Sequence, residues 1–561
     1  MLQVMKSIPK WYSLASRLSV IALVFAIILS ILMIANYLQT KSVDPLNNQA
    51  LNQIMLKLQK EPENQALKEQ IRALDLLARR AYFTNQWQIR TGSLILFISI
   101  LIFLVALKYM NSLKTRFPDL ENDPVTGRTW LSGILARKYL SYVGLGLFGL
   151  ALLAGIFSES ELIYDIETGL GSNSYATLVD LRNNWPSFRG AEGNGIAFQK
   201  NIPLYWNGET GENIVWKTPI PKPGFNSPII WQDLIILSGA DKTGQEVYGI
   251  NRQTGKIKWQ ISLNNIPGSP AKKPKVSGDT GYAAPTMVTD GQRVYVVFAT
   301  GDIAALDFEG KQVWAKNLGQ PDNHYGHSSS LQIYKNILLV QYDHNDGNYL
   351  FGLNVLNGVE IYRTERDVQI SWASPLLIDS ENDAQLVLNS NPFVISYNPQ
   401  NGKELWRVEC MDGEVGPSPA YADGMVYVVN EFAILAAISL EGKPEVIWEY
   451  EDDLSEVASL LATPEYLIMA TSFGPVTCFN AKTGEVYWMH EFGEGFYSSP
   501  VLADGHVYLM DINGNTYIFK PDREFKLVNQ APLDEKAMTI PAFMDGNIYI
   551  RGTENLYCVG N

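Results

Sequence analysis

The sequence predicts an all-β protein, an eight-bladed β-propeller with four-stranded antiparallel blades, preceded by an α-helical membrane domain with three transmembrane helices. Three observations predict this architecture. A pattern of apolar runs and turns repeats about every 42 residues, which is the period of a propeller blade. A glycine and an aromatic residue keep the same phase in most repeats. Three long apolar stretches precede the first repeat.

The repeat unit is clearest in residues 497–528. There, Asp504-Gly505 and Asn513-Gly514 are turn signals between short runs of strand-forming residues, as in consecutive hairpins. One position per unit, usually a proline, marks the start of the first strand: Pro228, Pro285, Ser330, Pro375, Pro419, Leu460, Pro500 and Pro541. A turn glycine precedes an outer-strand aromatic residue by four in these units: Gly255 and Trp259, Gly310 and Trp314, Gly358 and Tyr362, Gly402 and Trp406, and Gly484 and Trp488.

The limits of the repeat region predict how the ring closes. After Pro541 the sequence has room for only three strands, while residues 213–217 form a strand-like run with its own Trp216 before the first repeat. A last sheet that takes its outer strand from this earlier run has no open edge, and open edges favour aggregation. We therefore expect residues 181–561 to form eight blades, with the last blade assembled from two distant parts of the chain.

The apolar stretches predict membrane spans, because a helix crosses a bilayer with about twenty apolar residues. Basic residues cluster before the first stretch and after the second, which favours the cytoplasmic side for both. The sequence therefore predicts a multi-pass protein of the inner (cytoplasmic) membrane with its propeller in the periplasm. The predicted segments are a cytoplasmic N-terminus (1–17), transmembrane helices (18–38, 91–107 and 139–157), a periplasmic helical hairpin (39–90), a cytoplasmic loop (108–138) and a linker (158–180).

Composition narrows the classes of function. The 58 acidic residues outnumber the 44 basic ones and give a net charge of −14, whereas a surface that binds nucleic acid needs a basic patch. The three cysteines, Cys410, Cys478 and Cys558, are far apart and form no CxxC or haem-attachment motif. We therefore expect no nucleic-acid partner and no disulfide framework.

Two sequence motifs resemble those of a known family. Residues 185–190 read Trp-Pro-Ser-Phe-Arg-Gly and are followed by Gly-Asn-Gly-Ile at 193–196, and turns of the form Thr-Gly-Lys/Glu-x-x-Trp occupy 254–259 and 483–488. In these motifs the chain from Trp185 onward resembles the PQQ-like (pyrroloquinoline-quinone-like) β-propeller repeat family. That family includes the propeller lipoprotein of the outer-membrane β-barrel assembly machinery, which is not an enzyme, and membrane-bound quinoprotein dehydrogenases.

The resemblance implies the fold and leaves two functions open. Quinoprotein alcohol dehydrogenases have adjacent cysteines and a calcium site, whereas this chain has no adjacent cysteines, and no residues can be assigned to a quinone or to calcium. The favoured hypothesis is a non-catalytic module without a cofactor, anchored in the inner membrane, that binds other proteins of the cell envelope. The alternative is a PQQ-dependent membrane-bound dehydrogenase that uses PQQ and calcium and passes electrons to membrane quinone.

The phase of the repeat predicts one candidate binding site. Three residues before each marker, five of the eight positions carry an aromatic residue or a histidine: Phe225, Tyr282, His327, Trp372 and Tyr497. Because the inner strands line the central channel, these side chains should meet at one mouth of it. They either form an aromatic, charge-poor surface that binds a protein segment, or they pack between neighbouring blades.

A group of histidines was also considered as a metal site. His324, His327 and His344 are close in sequence, with Asp343 and Asp346 nearby, and these residue types bind metals. The run from Asp343 is also ordinary turn sequence, with Asn-Asp-Gly at its centre. The turn is the favoured interpretation, and no metal is predicted.

An insertion lengthens the connection between the first two repeats. Residues 264–280 are rich in proline, lysine and glycine and lie between the first two markers. They predict a long loop, which either is a plain surface loop, contacts a partner or covers the channel.

Overall fold

The computed structural model of the chain describes residues 15–30, 92, 95–110, 176–379 and 384–560. The chain divides into two compact units, Met1–Glu161 and Leu162–Asn561.

In the first unit, residues 15–30 and 95–110 are helical. Within the described residues, no helix combines the length and the apolar composition that a membrane crossing requires. This finding contradicts the predicted location, a multi-pass protein of the inner membrane with its propeller in the periplasm, and does not support three transmembrane helices. The third predicted span (139–157), the hairpin (39–90) and most of the predicted loop and linker lie outside the described residues.

The described part of the second unit is an eight-bladed propeller, as predicted. A short helix (Leu178–Arg182) and two strands, β1 (Ile196–Ala197) and β2 (Ile214–Pro219), precede the blades. The sheets are blades A to H, named in the order of their inner strands, and their strands are antiparallel within each blade. The inner strand of blade A lies against those of blades B and H, which closes the ring.

The first four blades are built from consecutive strands. Blade A contains β3 (Ile229–Trp231), β4 (Leu234–Ala240), β5 (Gln245–Asn251) and β6 (Ile257–Ser262). Blade B contains β7 (Val288–Thr289), β8 (Arg293–Val297), β9 (Asp302–Asp307) and β10 (Gln312–Asn317). Blade C contains β11 (Gln332–Tyr334), β12 (Ile337–His344), β13 (Gly347–Asn354) and β14 (Glu360–Glu365). Blade D contains β15 (Leu376–Ile378), β16 (Gln385–Asn389), β17 (Phe393–Tyr397) and β18 (Glu404–Glu409).

The remaining blades follow the same order, except that the outer strand of the last one comes from before blade A. Blade E contains β19 (Ala420–Ala422), β20 (Met425–Val429), β21 (Leu435–Ser439) and β22 (Glu445–Tyr450). Blade F contains β23 (Leu461–Ala462), β24 (Tyr466–Ala470), β25 (Pro475–Asn480) and β26 (Val486–Glu491). Blade G contains β27 (Val501–Ala503), β28 (His506–Met510), β29 (Asn515–Phe519) and β30 (Leu527–Pro532). Blade H contains β31 (Ala542–Met544), β32 (Asn547–Arg551), β33 (Asn555–Val559) and the outer strand β2.

Burial follows the position of a strand within its blade. The second strand of blade A, β4, is buried at every residue because neighbouring blades cover both of its faces. The outer strands β2, β6 and β22 instead alternate between half-buried and exposed residues. Successive side chains of a strand point to opposite faces, so this alternation shows one face on the blade and one in solvent.

Contacts between blades explain why the turn glycine and the outer-strand aromatic residue recur at fixed positions in the repeat. The outer-strand ring of one blade lies on the turn glycine of the next blade: Trp216 on Gly255, Trp259 on Gly310, Trp314 on Gly358, Tyr362 on Gly402 and Trp448 on Gly484. A Cβ atom at these glycines would lie 2.5–2.8 Å from the ring, and each glycine has a positive φ. The ring also donates to the same turn, as Trp314 Nε1 does to Val355 O at 2.9 Å. Trp406 is an exception, because no atom lies within 4 Å of a Cβ placed on Gly442.

Blade H closes the ring as the sequence predicted. Strand β2 pairs antiparallel with β33, and Trp216 lies opposite Cys558. Strand β1, which the sequence analysis did not identify, adds a fifth strand to blade G, parallel to the inner strand β27. Both strands that precede blade A are therefore used by the last two blades.

Candidate functional site: the channel and its mouth

The central channel is occupied by the chain itself. Residues 184–197, here called the axial segment, reach the inner strand of every blade or the residue just before it. The contacts are with Ile230 (A), Thr289 (B), Gln332 (C), Leu376 (D), Pro419 and Tyr421 (E), Leu460 (F), Leu502 (G) and Phe543 (H). Only a segment on the axis can reach all eight blades, so the axial segment fills the channel.

The axial segment enters the channel from one face of the propeller. The opening of the channel at the opposite face is not the point of entry. At the face of entry, Asn184 Oδ1 accepts a hydrogen bond of 2.7 Å from Gln232 N, in the turn that follows the inner strand of blade A. Gln199, just beyond the segment, contacts the matching turn of blade H at Asp545. We call the other opening, formed by the loops that lead into the inner strands, the mouth.

Arg189 holds the axial segment in place. Among the described residues, its guanidinium donates only to main-chain carbonyl oxygens, at Pro419 (3.2 Å), Asn194 (3.1 Å) and Leu460. The side chain is fully buried, and burial lowers the pKa of the guanidinium to about 9. The neighbouring Gly195 has a φ of 74°, and a Cβ atom there would lie 2.9 Å from Pro500 O, so the close approach requires glycine.

A belt of hydroxyl groups joins the blades where the inner strands begin. The main-chain N–H of each belt residue except Ser499 donates to the side-chain hydroxyl of the next, at 2.8–3.1 Å. The belt residues are Ser227, Thr286, Ser330, Ser374, Ser418, Ser459 and Ser499, and Ile540 donates to Ser227 without offering a hydroxyl in return. Sequence analysis missed the belt, although the signal was present: a serine directly precedes four of the marker prolines.

The belt residues provide a common reference position in each blade, and against it the five residues of the predicted aromatic ring are not all equivalent. Phe225, Trp372 and Tyr497 each lie two residues before a belt residue and are half-buried at equivalent positions. Tyr282 and His327 lie four and three residues before theirs, so they are not equivalent to the other members. The assigned markers cause this difference: Pro285 lies one residue before the belt residue of blade B and Ser330 is itself the belt residue of blade C, whereas the other markers directly follow theirs.

The two residues outside this phase pack inside the protein. The hydroxyl of Tyr282 donates to Pro274 O at 3.1 Å, and Lys273 lies over its ring at 5.6 Å. His327 is fully buried with its ring 5.0 Å from that of Tyr342. The structure therefore brings no ring of five aromatic side chains together at the mouth.

A different aromatic cluster lies at the mouth. The ring of Trp372 is 5.2 Å from both His324 and Tyr325, and its Nε1 donates to Asn323 Oδ1 at 2.9 Å. His324 Nε2 lies 3.0 Å from Glu414 Oε1, which joins the loop leading into blade C to the loop leading into blade E. We call His324, Tyr325, Trp372 and Glu414 the cage. Tyr325 is 42% exposed, so the cage is open to solvent.

Carboxylates surround the mouth, which contradicts the expectation of a charge-poor surface. Hydrogen bonding to Glu414 and its charge raise the pKa of Tyr325, and Asp279 adds to that effect. Burial raises the pKa of Tyr497, and the charges of Asp279 and Glu456 raise it further. Tyr325 and Tyr497 lie at blades C and G, on opposite sides of the propeller, and the charge of Asp279 therefore acts on both hydroxyl groups. The mouth is aromatic and acidic.

The insertion lies along the mouth. Ser269 Oγ donates to Asp302 Oδ2 at 2.8 Å, Lys273 Nζ donates to Asp241 O at 2.7 Å, and Ser277 N donates to Tyr325 O at 2.8 Å. These bonds tie the insertion to blades A and B and to the connection into blade C. The insertion thus holds Asp279 beside the cage, which favours a partner contact or a cover over a plain surface loop.

Exposed apolar side chains extend the mouth over blades E and F. Phe432 and Phe473, at the tips of the turns between the second and third strands, are 67% and 52% exposed. Val457, in the loop between these two blades, is 38% exposed. Beside them, a hydrogen bond to Glu456 and that residue's charge raise the pKa of Glu431. Large apolar groups exposed together mark contact sites, and no repeat pattern pointed to these two turns.

Two of the three histidines that the sequence offers as metal ligands, His327 and His344, have structural roles, whereas His324 belongs to the cage. Tyr342 packs between His327 and His344, with centroid distances of 5.0 and 5.3 Å. Burial lowers the pKa of His327 to about 3 and also lowers the pKa of His344. Asp343 is fully buried in an ion pair with Arg366. In the described ranges, no three His, Cys, Asp or Glu side chains are close enough to hold a metal ion.

The mouth offers little for a quinone cofactor held with calcium. Calcium takes several convergent oxygen ligands, often carboxylates, and the described residues contain no cluster of three or more His, Cys, Asp or Glu side chains. The cation on the axis, Arg189, already donates to main-chain carbonyls. The cysteines lie in separate places, Cys410 after blade D, Cys478 in blade F and Cys558 in blade H, and all are free.

Comparison with known proteins finds related propellers. Residues 196–327, 356–468 and 462–523, just over half of the chain, match the family described as outer membrane protein assembly factor BamB. The protein of that name from Yersinia pestis is 20% identical over 285 residues, which are 47% of this chain and 70% of the relative. Tetrathionate hydrolase from Acidithiobacillus ferrooxidans is 26% identical over 47% of this chain and 53% of the relative.

Solved structures show the same fold at low identity. Quinohemoprotein alcohol dehydrogenase from Comamonas testosteroni aligns over 68% of this chain and 81% of its own, with a TM-score of 0.54 and 11% identity. At that identity the similarity concerns the propeller alone and not its chemistry.

Proposed function

We propose that this chain, which belongs to the PQQ-like propeller family described as outer membrane protein assembly factor BamB, is a non-catalytic module that binds other proteins of the cell envelope. The contact surface is the mouth of the propeller, and the partner is a protein segment rather than a small molecule. The name of the family suggests the class of partner, proteins that act in outer membrane assembly.

The observation that carries this proposal is the contrast between the channel and its mouth. The axial segment fills the channel, so a small molecule has no deep axial site to enter. At the mouth, by contrast, Phe432, Phe473 and Tyr325 are exposed, and aromatic side chains provide much of the contact energy in protein interfaces. Phe225, Trp372 and Tyr497 contribute to the same surface as half-buried members.

Site-specific photo-crosslinking in cells tests the proposal. A photoreactive residue at position 325 or 432 should form adducts with a small set of envelope proteins, identified by mass spectrometry. The matched control is position 405, because Leu405 is also exposed (47%) but lies on the outer strand β18 of blade D. The adducts should disappear when Trp372→Ala is added. Identical adducts from position 405, or none from either mouth position, would contradict the proposal.

The dehydrogenase alternative has its own test. Purified protein is titrated with PQQ and Ca²⁺ while the absorbance of bound quinone is followed. Because the described residues contain no cluster of three or more His, Cys, Asp or Glu side chains, we expect no bound spectrum and no dye reduction with alcohols or glucose. A stoichiometric bound spectrum would replace the binding-module proposal with the enzyme.

A further inference from the structure

We propose that the cage formed by His324, Tyr325, Trp372 and Glu414 recognises a positively charged side chain, lysine or arginine, on the protein segment that occupies the mouth. This inference rests on the proposed function, since it assumes a protein partner, and it adds the chemistry of one anchoring residue.

The arrangement of the three rings provides the first argument. Trp372 is half-buried, its Nε1 is bonded to Asn323, and its ring is flanked at 5.2 Å by His324 and Tyr325. The neighbours therefore fix the orientation of the indole before any ligand arrives. A cation over the face of such a ring is attracted by the negative charge of the π system, and tryptophan gives the strongest attraction.

The position of the carboxylate provides the second argument. Glu414 Oε1 lies 3.0 Å from His324 Nε2, and the side chain is 48% exposed. An ionised carboxylate accepts about four hydrogen bonds, so Glu414 keeps capacity for an ammonium or guanidinium group. The three rings lie against one another, with centroid distances of 4.2–5.2 Å, and Glu414 borders them, so a cation at this surface meets aromatic groups and a carboxylate together.

The surrounding charge provides the third argument. The insertion, bonded through Ser277 to Tyr325, brings Asp279 near the cage, and Glu456 lies on the other side of the mouth. Lys273, a basic residue of the same insertion, is directed away, because its Nζ donates to Asp241 O. The net charge of −14 further favours the approach of basic segments.

Binding of defined peptides to the purified full-length chain tests the inference. The probes are short fluorescein-labelled peptides with one central lysine between leucine and serine residues, and two counterparts with glutamine or glutamate in its place. Anisotropy should show that the lysine peptide binds at least about fivefold more tightly than the glutamine peptide, and the glutamate peptide most weakly.

Two variants locate the effect. Glu414→Gln keeps the size of the side chain and should remove most of the preference for lysine, while the glutamine peptide binds as before. The matched control is Glu441→Gln, an exposed carboxylate in the turn between β21 and β22, which should leave the preference unchanged. Equal urea midpoints of unfolding confirm that both variants are folded.

The outcomes separate this inference from the proposed function. Equal affinity for the lysine and glutamine peptides, with both weakened by Trp372→Ala, would overturn the cage while supporting a protein-binding mouth. Loss of the preference in Glu441→Gln would overturn it as well, because the effect would then come from net charge. Failure of all three peptides to bind also overturns it, and crosslinking still decides the proposed function.

Discussion

Trp185 and Trp372 have the same side chain and lie in the same propeller, but their surroundings differ in kind. Trp185 belongs to the axial segment, is 1% exposed and packs on Phe543 of blade H. Trp372 is half-buried at the mouth among rings and carboxylates that face solvent. The charged groups differ in the same way: among the described residues Arg189 donates only to main-chain carbonyls, whereas Glu414 is about half exposed. In the interior, polar groups hold the propeller together. At the mouth, polar groups remain available to a partner.

The largest effect is expected from removing the indole on the axis. Trp185→Ala deletes a fully buried side chain that contacts two blades, so the free energy of unfolding should fall by about 3–5 kcal/mol. Urea unfolding followed by circular dichroism measures the change. If Trp372→Ala, at the mouth, lowered the free energy of unfolding by as much, the distinction between channel and mouth would be wrong.

Acid should lower the free energy of unfolding because His327 is buried in its neutral form. Burial lowers its pKa to about 3, so below the usual pKa of about 6.5 the unfolded chain takes up a proton that the folded protein does not. Stability is therefore present above pH 6.5 and lost as the pH falls towards 3, by about 2 kcal/mol at pH 5. Unfolding free energies at pH 7 and pH 5 measure the loss, and His327→Gln should remove that part of it. An unchanged pH dependence in the variant would show that His327 is not responsible.

The hydroxyl belt offers a matched pair of adjacent serines. Ser330→Ala removes the acceptor of the Thr286 N–H and leaves a buried donor unpaired, which should cost about 1–3 kcal/mol. Ser329→Ala is the control, because the Ser329 hydroxyl is equally buried but has no hydrogen-bond partner among the described residues. Its removal should be neutral or slightly stabilising. Thermal unfolding of both variants measures the difference, and equal losses would mean that the belt contributes no stability.

The smallest effect on stability is expected at the tip of blade E. Phe432 is 67% exposed, so Phe432→Ala should change the free energy of unfolding by less than about 0.5 kcal/mol. The same variant should lose the crosslinks formed at position 325 if the mouth is the contact surface. A large loss of stability would place this ring among the structural contacts and remove it from the proposed interface.

The sequence predicts the propeller well because its signals are local and repeated. The Asp504-Gly505 turn, the outer-strand Trp216 and the turn glycines each reflect a contact that recurs in nearly every blade. The mouth was predicted less well, because its members do not recur. Tyr325 and Glu414 belong to loops of different blades that meet only in the folded ring, and Tyr282 and His327 were placed by markers, Pro285 and Ser330, that are out of phase with the rest.

The membrane prediction failed for a related reason. The prediction of spans at 18–38 and 91–107 depends on composition and length alone, and an apolar stretch does not by itself establish a membrane crossing. The axial segment was recognised only as a family motif. Its position on the axis depends on contacts with all eight blades, which no local pattern can encode.

The closure of blade H has a consequence for how the chain is made. Because about 340 residues separate β2 from β33, roughly 20–70 s pass between their syntheses at the usual 5–20 residues per second. During this interval β2 has no partner and is free to pair with other chains. Its Lys217 and Pro219 are residues that discourage such pairing, and both are exposed in the finished blade. The strand that completes the ring last is thus protected while the newly made chain waits for the final blade.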